Sequence, residues 1–256
     1  MNEQTRRLKS DYEHIHREYL DYFNRRRKDN TSTPDMELYT LEDDLSSGIL
    51  FVGMNPSGAH ESHYNAKKQS NGKWKEDVYV YEDIDTPYFK AIKNLLATIQ
   101  KEKENSKEVN PSVLDLFSVV EKKQNVLQDE YLDIKNERLY NAMIDIFFKT
   151  ILRLRPKVIV VINAFVGRCF KGSQSSEAPS PDGRFKDWIK LTSSEEFGGY
   201  DITITKPENV EGDKELETLT THVFFSSMLS GSRALDCGSR ENLAWIVRNY
   251  LKNKQN

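Results

Sequence analysis

The chain has 256 residues and a formal net charge of −3, so it is long enough for one large domain, and its charge neither requires nor excludes a nucleic-acid partner. Its two cysteines, Cys169 and Cys237, form no CxxC pair, which excludes a zinc or iron–sulfur site with four cysteine ligands. No apolar run reaches the roughly 20 residues of a membrane span, and the N-terminus lacks the apolar segment of a signal peptide. We therefore expect one soluble, cytoplasmic domain over residues 1–256 that does not contact a membrane.

Helical and strand patterns alternate along the chain. Residues 3–29 carry apolar side chains at helical spacing, which predicts an N-terminal helix. The later patterns predict a strand over 49–53, a helix over 87–103, a strand over 112–120, a helix over 135–154, a strand over 158–162, a helix over 164–171, a strand over 221–226 and a helix over 239–252. Such alternation is typical of a parallel sheet covered on both faces. We therefore predict a three-layer α/β/α fold with a central four-stranded parallel sheet.

The segment over about residues 173–218 differs in composition from the rest of the chain. It is rich in Ser, Pro and Gly, and it holds 11 acidic and five basic residues, so the remaining chain carries a net charge of +3. We predict a peripheral acidic insertion that contains a hairpin formed by residues 188–191 and 200–205. The mildly basic remainder is what a nucleic-acid partner would favour.

Two polar turns follow core strands and carry the candidate site. Residues 53–57 read Gly-Met-Asn-Pro-Ser directly after the first strand, and residues 225–233 read Phe-Ser-Ser-Met-Leu-Ser-Gly-Ser-Arg after the last. Asp115 lies within the second apolar strand. If these strands are parallel neighbours, all three groups meet at the carboxyl edge of the sheet, where open α/β sheets bind ligands.

These motifs resemble those of the uracil-DNA glycosylase superfamily. In that family a Gly-x-(Asp/Asn)-Pro motif holds the hydrolytic water, and a later (His/Asn)-Pro-Ser-x-x-Ser-x-x-Arg motif clamps the DNA. Residues 154–161, Leu-Arg-Pro-Lys-Val-Ile-Val-Val, also resemble the lead-in and third strand of the family. The resemblance spans roughly residues 48–250 with large insertions, and the Asn of the first motif is nearest to the mismatch-specific branch.

The resemblance implies a DNA glycosylase that hydrolyses the N-glycosidic bond of a flipped base, damaged or mismatched, without a metal or a cofactor. It implies Asn55 as the catalytic residue, whose amide orients the water but takes up no proton at neutral pH. The implied base-binding residues are Gly53, Met54, Tyr64 and Asp115, with Tyr88 and Phe89 as alternatives to the stacking Tyr64. The implied DNA-binding residues are Ser57, Ser226, Ser227, Ser230 and Arg233.

The chain also departs from the family pattern. Phe225 stands where the family has an anion-stabilising His, and His222 falls on the opposite face of the strand, where we expect a structural role. Asp115 stands where the family reads the base with an Asn. An ionised Asp only accepts hydrogen bonds, so it suits a base with amino or N–H donors better than uracil. Two alternatives for Asp115 are a protonated, buried carboxyl group and a cap for a neighbouring turn.

Other functions stay open on these residues. A non-catalytic nucleic-acid or nucleoside-binding protein on the same fold is favoured by Phe225 and Asp115, and a hydrolase of a small N-glycoside would use the same edge of the sheet. His60 and His63 lie beside Glu61 with no convincing third ligand, so we expect no metal site. A monomer is favoured.

Overall fold

The computed structural model describes residues 3–26, 48–54, 87–100, 111–118, 125, 127–129, 132, 138–172, 181–211, 217–230 and 234–254. Numbered in chain order, its helices are α1 (Glu3–Arg26), α2 (Pro87–Gln100), α3 (Arg138–Leu154), α4 (Ala164–Lys171), α5 (Phe185–Trp188) and α6 (Cys237–Asn253). Its strands are β1 (Ile49–Gly53), β2 (Pro111–Asp115), β3 (Val158–Val161), β4 (Ile189–Ser193), β5 (Tyr200–Thr205) and β6 (Thr218–Phe225). No helix in the described part of the chain is both long enough and apolar enough to span a membrane.

The sheet has six strands in the order β2-β1-β3-β6-β5-β4. The four strands predicted from apolar runs are all present and pair in parallel. The predicted hairpin is also confirmed, since β4 pairs with β5 and β5 with β6 in antiparallel register. The predicted four-stranded sheet is therefore too small. The hairpin extends it because the apolar Ile202 and Ile204 of β5 are buried and because β6, otherwise an edge strand, offers unpaired backbone groups.

Helices cover both faces of the sheet. Along β1, Leu50 and Val52 pack into one core with residues of α1, α3, α4 and α5, whereas Ile49 and Phe51 pack into a second core with residues of α2 and α6. This alternation is the period of a strand that is buried on both sides. The parallel strands therefore lie between two helical layers.

The described part of the acidic segment extends the sheet and packs against α3. β4 is an edge strand, so the segment is peripheral in the strand order, but Trp188 stacks on Phe148 with ring centroids 5.3 Å apart. Arg184 binds both carboxylate oxygens of Asp145, with Nε–Oδ1 at 2.7 Å and Nη2–Oδ2 at 2.9 Å, and the Trp188 indole N–H donates to Oδ1 at 2.7 Å. The Arg184–Asp145 ion pair and the stacking of Trp188 on Phe148 therefore fix the segment to α3.

Strand connections define the edge where a ligand is expected. β3 leads into α4 on the face that holds α3, and β6 leads into α6 on the opposite face. Adjacent parallel strands whose following helices diverge in this way leave a crevice at their carboxyl ends. Asn163 fixes the start of α4, since its Oδ1 accepts hydrogen bonds from the backbone N–H groups of Phe165 and Val166.

Candidate functional site at the carboxyl ends of the strands

The four parallel strands end together, and hydrogen bonds fix the backbone beyond each end. Leu116 N–H donates to Gly53 O at 3.1 Å, Ile162 N–H to Val52 O at 2.9 Å, and Ser226 N–H to Val161 O at 2.8 Å. The first residues of these loops are therefore held by the sheet itself. Two groups of residues lie at this edge, one formed by β1, β2 and α2, and the other by the residues after β6 together with α4 and α6.

The first group, the Asp115 cluster, consists of Gly53, Tyr88 and Asp115. Gly53 and Asp115 are register partners on neighbouring strands, and Asp115 is only 6% exposed. A Cβ atom on Gly53 would overlap Asp115 Oδ1 and would lie 2.9 Å from Tyr88 Oη. Gly53 does not have a positive φ, so glycine is needed here because it has no side chain and not because of its backbone conformation. The missing side chain lets a carboxylate and a phenol approach the end of β1.

Met54 follows Gly53 and lies in the core. Its side chain is 1% exposed, and its sulfur accepts a hydrogen bond from Gln128 Nε2 at 3.6 Å. Its carbonyl oxygen accepts from Phe117 N–H at 2.8 Å. Met54 therefore anchors the start of the first turn. The predicted site residues Asn55, Ser57 and Tyr64 lie outside the described residues.

The second group lines a cleft of about 390 Å³ between α4 and α6, here called the α4–α6 cleft. Ser226 and Ser227, at the end of β6, lie on its wall beside Phe225. Ser230 is half-buried and is not among the described residues that line it. The turn after β6 is closed by a hydrogen bond from Leu235 N–H to Met228 O at 2.9 Å, and the predicted Arg233 lies outside the described residues.

Among the described residues that line the cleft, the two cations both come from α4. Arg168 is exposed and Lys171 is half-buried. They are three residues apart, so they lie on one face of the helix. None of the described residues that line the cleft is an Asp or a Glu, so its local charge is positive although the whole chain is negative. Sequence reasoning missed these two residues.

His222 lies on the opposite face of β6 from Phe225, as predicted. It is fully buried, its ring stacks on Tyr250 at 4.6 Å, and Phe225 contacts Phe170 and Tyr200 on the other face of β6. His222 Nδ1 lies 2.9 Å from Asp201 Oδ1, and Nε2 lies 2.8 Å from the Gly198 carbonyl oxygen. Both ring nitrogens are thus engaged in joining β6 to β5 and its turn.

Two strands, β1 and β3, lie between Asp115 on β2 and the end of β6. Neighbouring strands lie about 4.8 Å apart, so the ends of β2 and β6 are about 14 Å apart. A ligand that contacts both Asp115 and Ser227 must therefore be extended. A segment of a nucleic-acid chain is long enough to contact both, whereas a single bound ion is not. Within the described ranges, no group of three or more His, Cys, Asp or Glu side chains is arranged to hold a metal.

No protein-family model matches the chain, and no curated protein matches its sequence. The resemblance to the uracil-DNA glycosylase superfamily therefore depends on the motifs and remains a prediction.

Proposed function

We propose that the chain is a DNA glycosylase-like hydrolase that binds DNA along the carboxyl edge of its parallel sheet and cleaves the N-glycosidic bond of a flipped base. One observation carries the proposal. The buried Asp115 lies over Gly53, which ends β1 and precedes Asn55 by two residues in the sequence. A positively charged cleft with two serines lies on the same edge of the sheet.

The residue types suit this hydrolysis. The oxygen of a water molecule bonds to the C1′ carbon, the C1′–N bond breaks, and the base leaves with the electron pair and takes up the proton that the water loses. Asn55 orients the water, and backbone N–H groups of the turn after Gly53 receive a base carbonyl. Ser226 and Ser227 donate hydrogen bonds to phosphates. No metal or cofactor is needed for these roles.

Asp115 directs the choice of base in this proposal. An ionised carboxylate accepts hydrogen bonds and repels a carbonyl oxygen. We therefore expect a base that presents an amino group or a ring N–H to Asp115, and a poor fit for the O4 carbonyl of uracil. Substitution of Asp115 by Asn adds donors at the same position, so uracil release should increase in Asp115→Asn relative to the wild type.

A second candidate, a non-catalytic nucleic-acid binding protein, is favoured by one specific observation. Phe225 lines the cleft at the position where the resemblance expects a His. His222 does not replace it, because both of its ring nitrogens are engaged on the opposite face. A protein without that donor retains the binding surface but stabilises a leaving base less well.

Base release distinguishes the two candidates. Single-stranded and duplex oligonucleotides with damaged or mismatched bases, and free nucleosides, are incubated with the protein, and released base is measured by mass spectrometry. The glycosylase proposal expects release from oligonucleotides that Asn55→Ala abolishes while binding persists. Asn94→Ala, on the exposed face of α2, is the matched control. Salt-sensitive binding without release supports the second candidate, release from nucleosides alone supports a small N-glycoside hydrolase, and no binding at low salt contradicts both nucleic-acid proposals.

A further inference from the structure

Among the described residues that line the α4–α6 cleft, two are cations and none is a carboxylate. In the part of the chain that the structure describes, no carboxylate pairs with Arg168 or Lys171. The Lys171 ammonium lies 4.9 Å from the Phe225 ring centroid, and the Arg168 guanidinium carbon lies 5.7 Å from that of Phe165. These rings hold the two cations along one wall of the cleft and leave their N–H donors available.

Hydroxyl and amide groups complete the polar part of the lining. Ser226 and Ser227 come from the end of β6, and Ser239 and Asn242 come from the start of α6. The Ser239 hydroxyl already donates to Asp236 Oδ2 at 2.8 Å. The donors for an anion are therefore the two cations, the serines after β6 and the Asn242 amide.

The rest of the lining is apolar. Phe225, Leu235, Leu243 and Ile246 face the cleft. Gly167 also lines it, and a Cβ atom there would lie 3.5 Å from the Phe225 ring as its nearest neighbour. The cleft thus combines an apolar wall with a cationic one, within the roughly 300–1,000 Å³ typical of small-ligand sites.

We propose that the α4–α6 cleft binds one nucleotide unit of a nucleic-acid strand, with the phosphate between Arg168, Lys171 and Ser227 and the base against Phe225. An arginine fork and a lysine are the usual partners of a phosphate, and aromatic faces are the usual platforms for bases. A bare anion would not use the apolar wall, and a neutral apolar ligand would not use the cations. The inference rests on the nucleic-acid binding part of the proposed function and not on its chemistry.

Binding of a fluorescein-labelled oligothymidylate, followed by polarisation at several salt concentrations, tests the inference. We expect Lys171→Gln and Arg168→Gln each to weaken binding about tenfold at low salt and to reduce the salt slope by about 0.7. Lys190→Gln removes an exposed cation from β4 and should change affinity less than about twofold. Circular dichroism verifies that each variant is folded.

Two further measurements separate the ligand sources and the two parts of the cleft. Competition by thymidine 5′-monophosphate would show that a free nucleotide provides the same chemistry as a strand, and inorganic phosphate should compete less well because it lacks a base. Gly167→Ala narrows the apolar wall and should weaken oligonucleotide binding more than phosphate binding, while it favours the helix.

Equal losses in Lys171→Gln and Lys190→Gln, or no binding of oligonucleotide or nucleotide at low salt, would overturn the inference. Base release by a protein whose affinity is unchanged in Arg168→Gln and Lys171→Gln would overturn it and leave the proposed glycosylase function standing. Cleft-dependent binding without any base release would support the inference and count against the glycosylase.

Discussion

Replacement of Gly53 by alanine is expected to destabilise the protein by about 1–2 kcal/mol. The new methyl group would overlap Asp115 Oδ1 and would lie 3.2 Å from Asp115 Cγ and 2.9 Å from Tyr88 Oη. Asp115 is buried and has a short side chain, so the overlap is relieved only if β2 shifts or the Asp115 carboxylate leaves its position. Overpacking costs about 1–3 kcal/mol, and alanine recovers about 0.5–1 kcal/mol of chain entropy relative to glycine. The free energy of unfolding, from urea denaturation followed by circular dichroism, measures the difference.

Gly167→Ala is the matched control for this change. Gly167 is also buried, but the nearest atom to its new methyl group is Phe225 Cδ1 at 3.5 Å, an ordinary contact. Because Gly167 lies inside α4, alanine should raise the free energy of unfolding by up to about 1 kcal/mol. The same chemical change is therefore expected to have opposite signs at the two glycines.

A double-mutant cycle with Asp115→Ala assigns the cost of Gly53→Ala to the predicted contact. Removal of the carboxylate makes room for the methyl group, so Gly53→Ala should cost at least about 1 kcal/mol less in the Asp115→Ala protein than in the wild type. An equal cost in both backgrounds, or a Gly53→Ala protein as stable as the wild type, would refute the packing of Asp115 over Gly53.

Three further variants test contacts that hold the layers together. Arg248→Met should lower the free energy of unfolding by about 2 kcal/mol, measured in urea, because the buried guanidinium donates to the last carbonyl groups of α2. Tyr12→Phe removes the buried hydrogen bond to Thr150 and should cost about 1 kcal/mol. Burial raises the pKa of Tyr12, so the wild type loses stability as pH rises above the ordinary tyrosine value, and this alkaline loss should be smaller in Tyr12→Phe. Hydrogen bonds from Ser239 hold the pKa of Asp236 below its ordinary value. The stability that this cap adds is therefore fully present when the pH is above the ordinary pKa of an Asp, and it is lost as the pH falls through the lowered pKa. Asp236→Asn retains a cap without a charge, and thermal unfolding across acidic pH should show a weaker pH dependence.

Sequence patterns predicted the parallel part of the sheet because its strands are buried on both faces. Runs such as 49–53 and 158–161 are almost wholly apolar and end at turn residues, which leaves little choice of structure. The prediction of a strand over 112–120 was too long, since β2 ends at Asp115. Beyond β2, the backbone N–H groups of Leu116 and Phe117 donate hydrogen bonds to the carbonyl oxygens of Gly53 and Met54, beside the first turn.

The sequence did not predict that β5 pairs with β6. Its alternating pattern predicted a hairpin, but a hairpin can dock on a sheet edge, pack on a face or stand apart. The choice depends on long-range contacts, here the pairing of Ile202 with Thr221 and the burial of Trp188 against Phe148. Such contacts leave no periodic signal in the sequence.

The candidate site was predicted in part. Asp115, Ser226 and Ser227 were predicted to share the carboxyl edge of the sheet, because Asp115 lies within one apolar run and the two serines follow another, and the structure places all three at that edge. Arg168 and Lys171 were missed because two cations at helical spacing usually mark a solvated face. These two residues line a cleft only because the strand order places α4 next to the end of β6 and opposite α6.

Hydrolysis in heavy-oxygen water tests the central proposal most directly. We expect wild-type protein to release free base from an oligonucleotide and to leave the heavy oxygen on C1′ of the sugar, with no break in the phosphodiester chain. We expect Asn55→Ala to bind the same oligonucleotide without release. Strand cleavage without base release, or undiminished labelling of C1′ by Asn55→Ala, would contradict it.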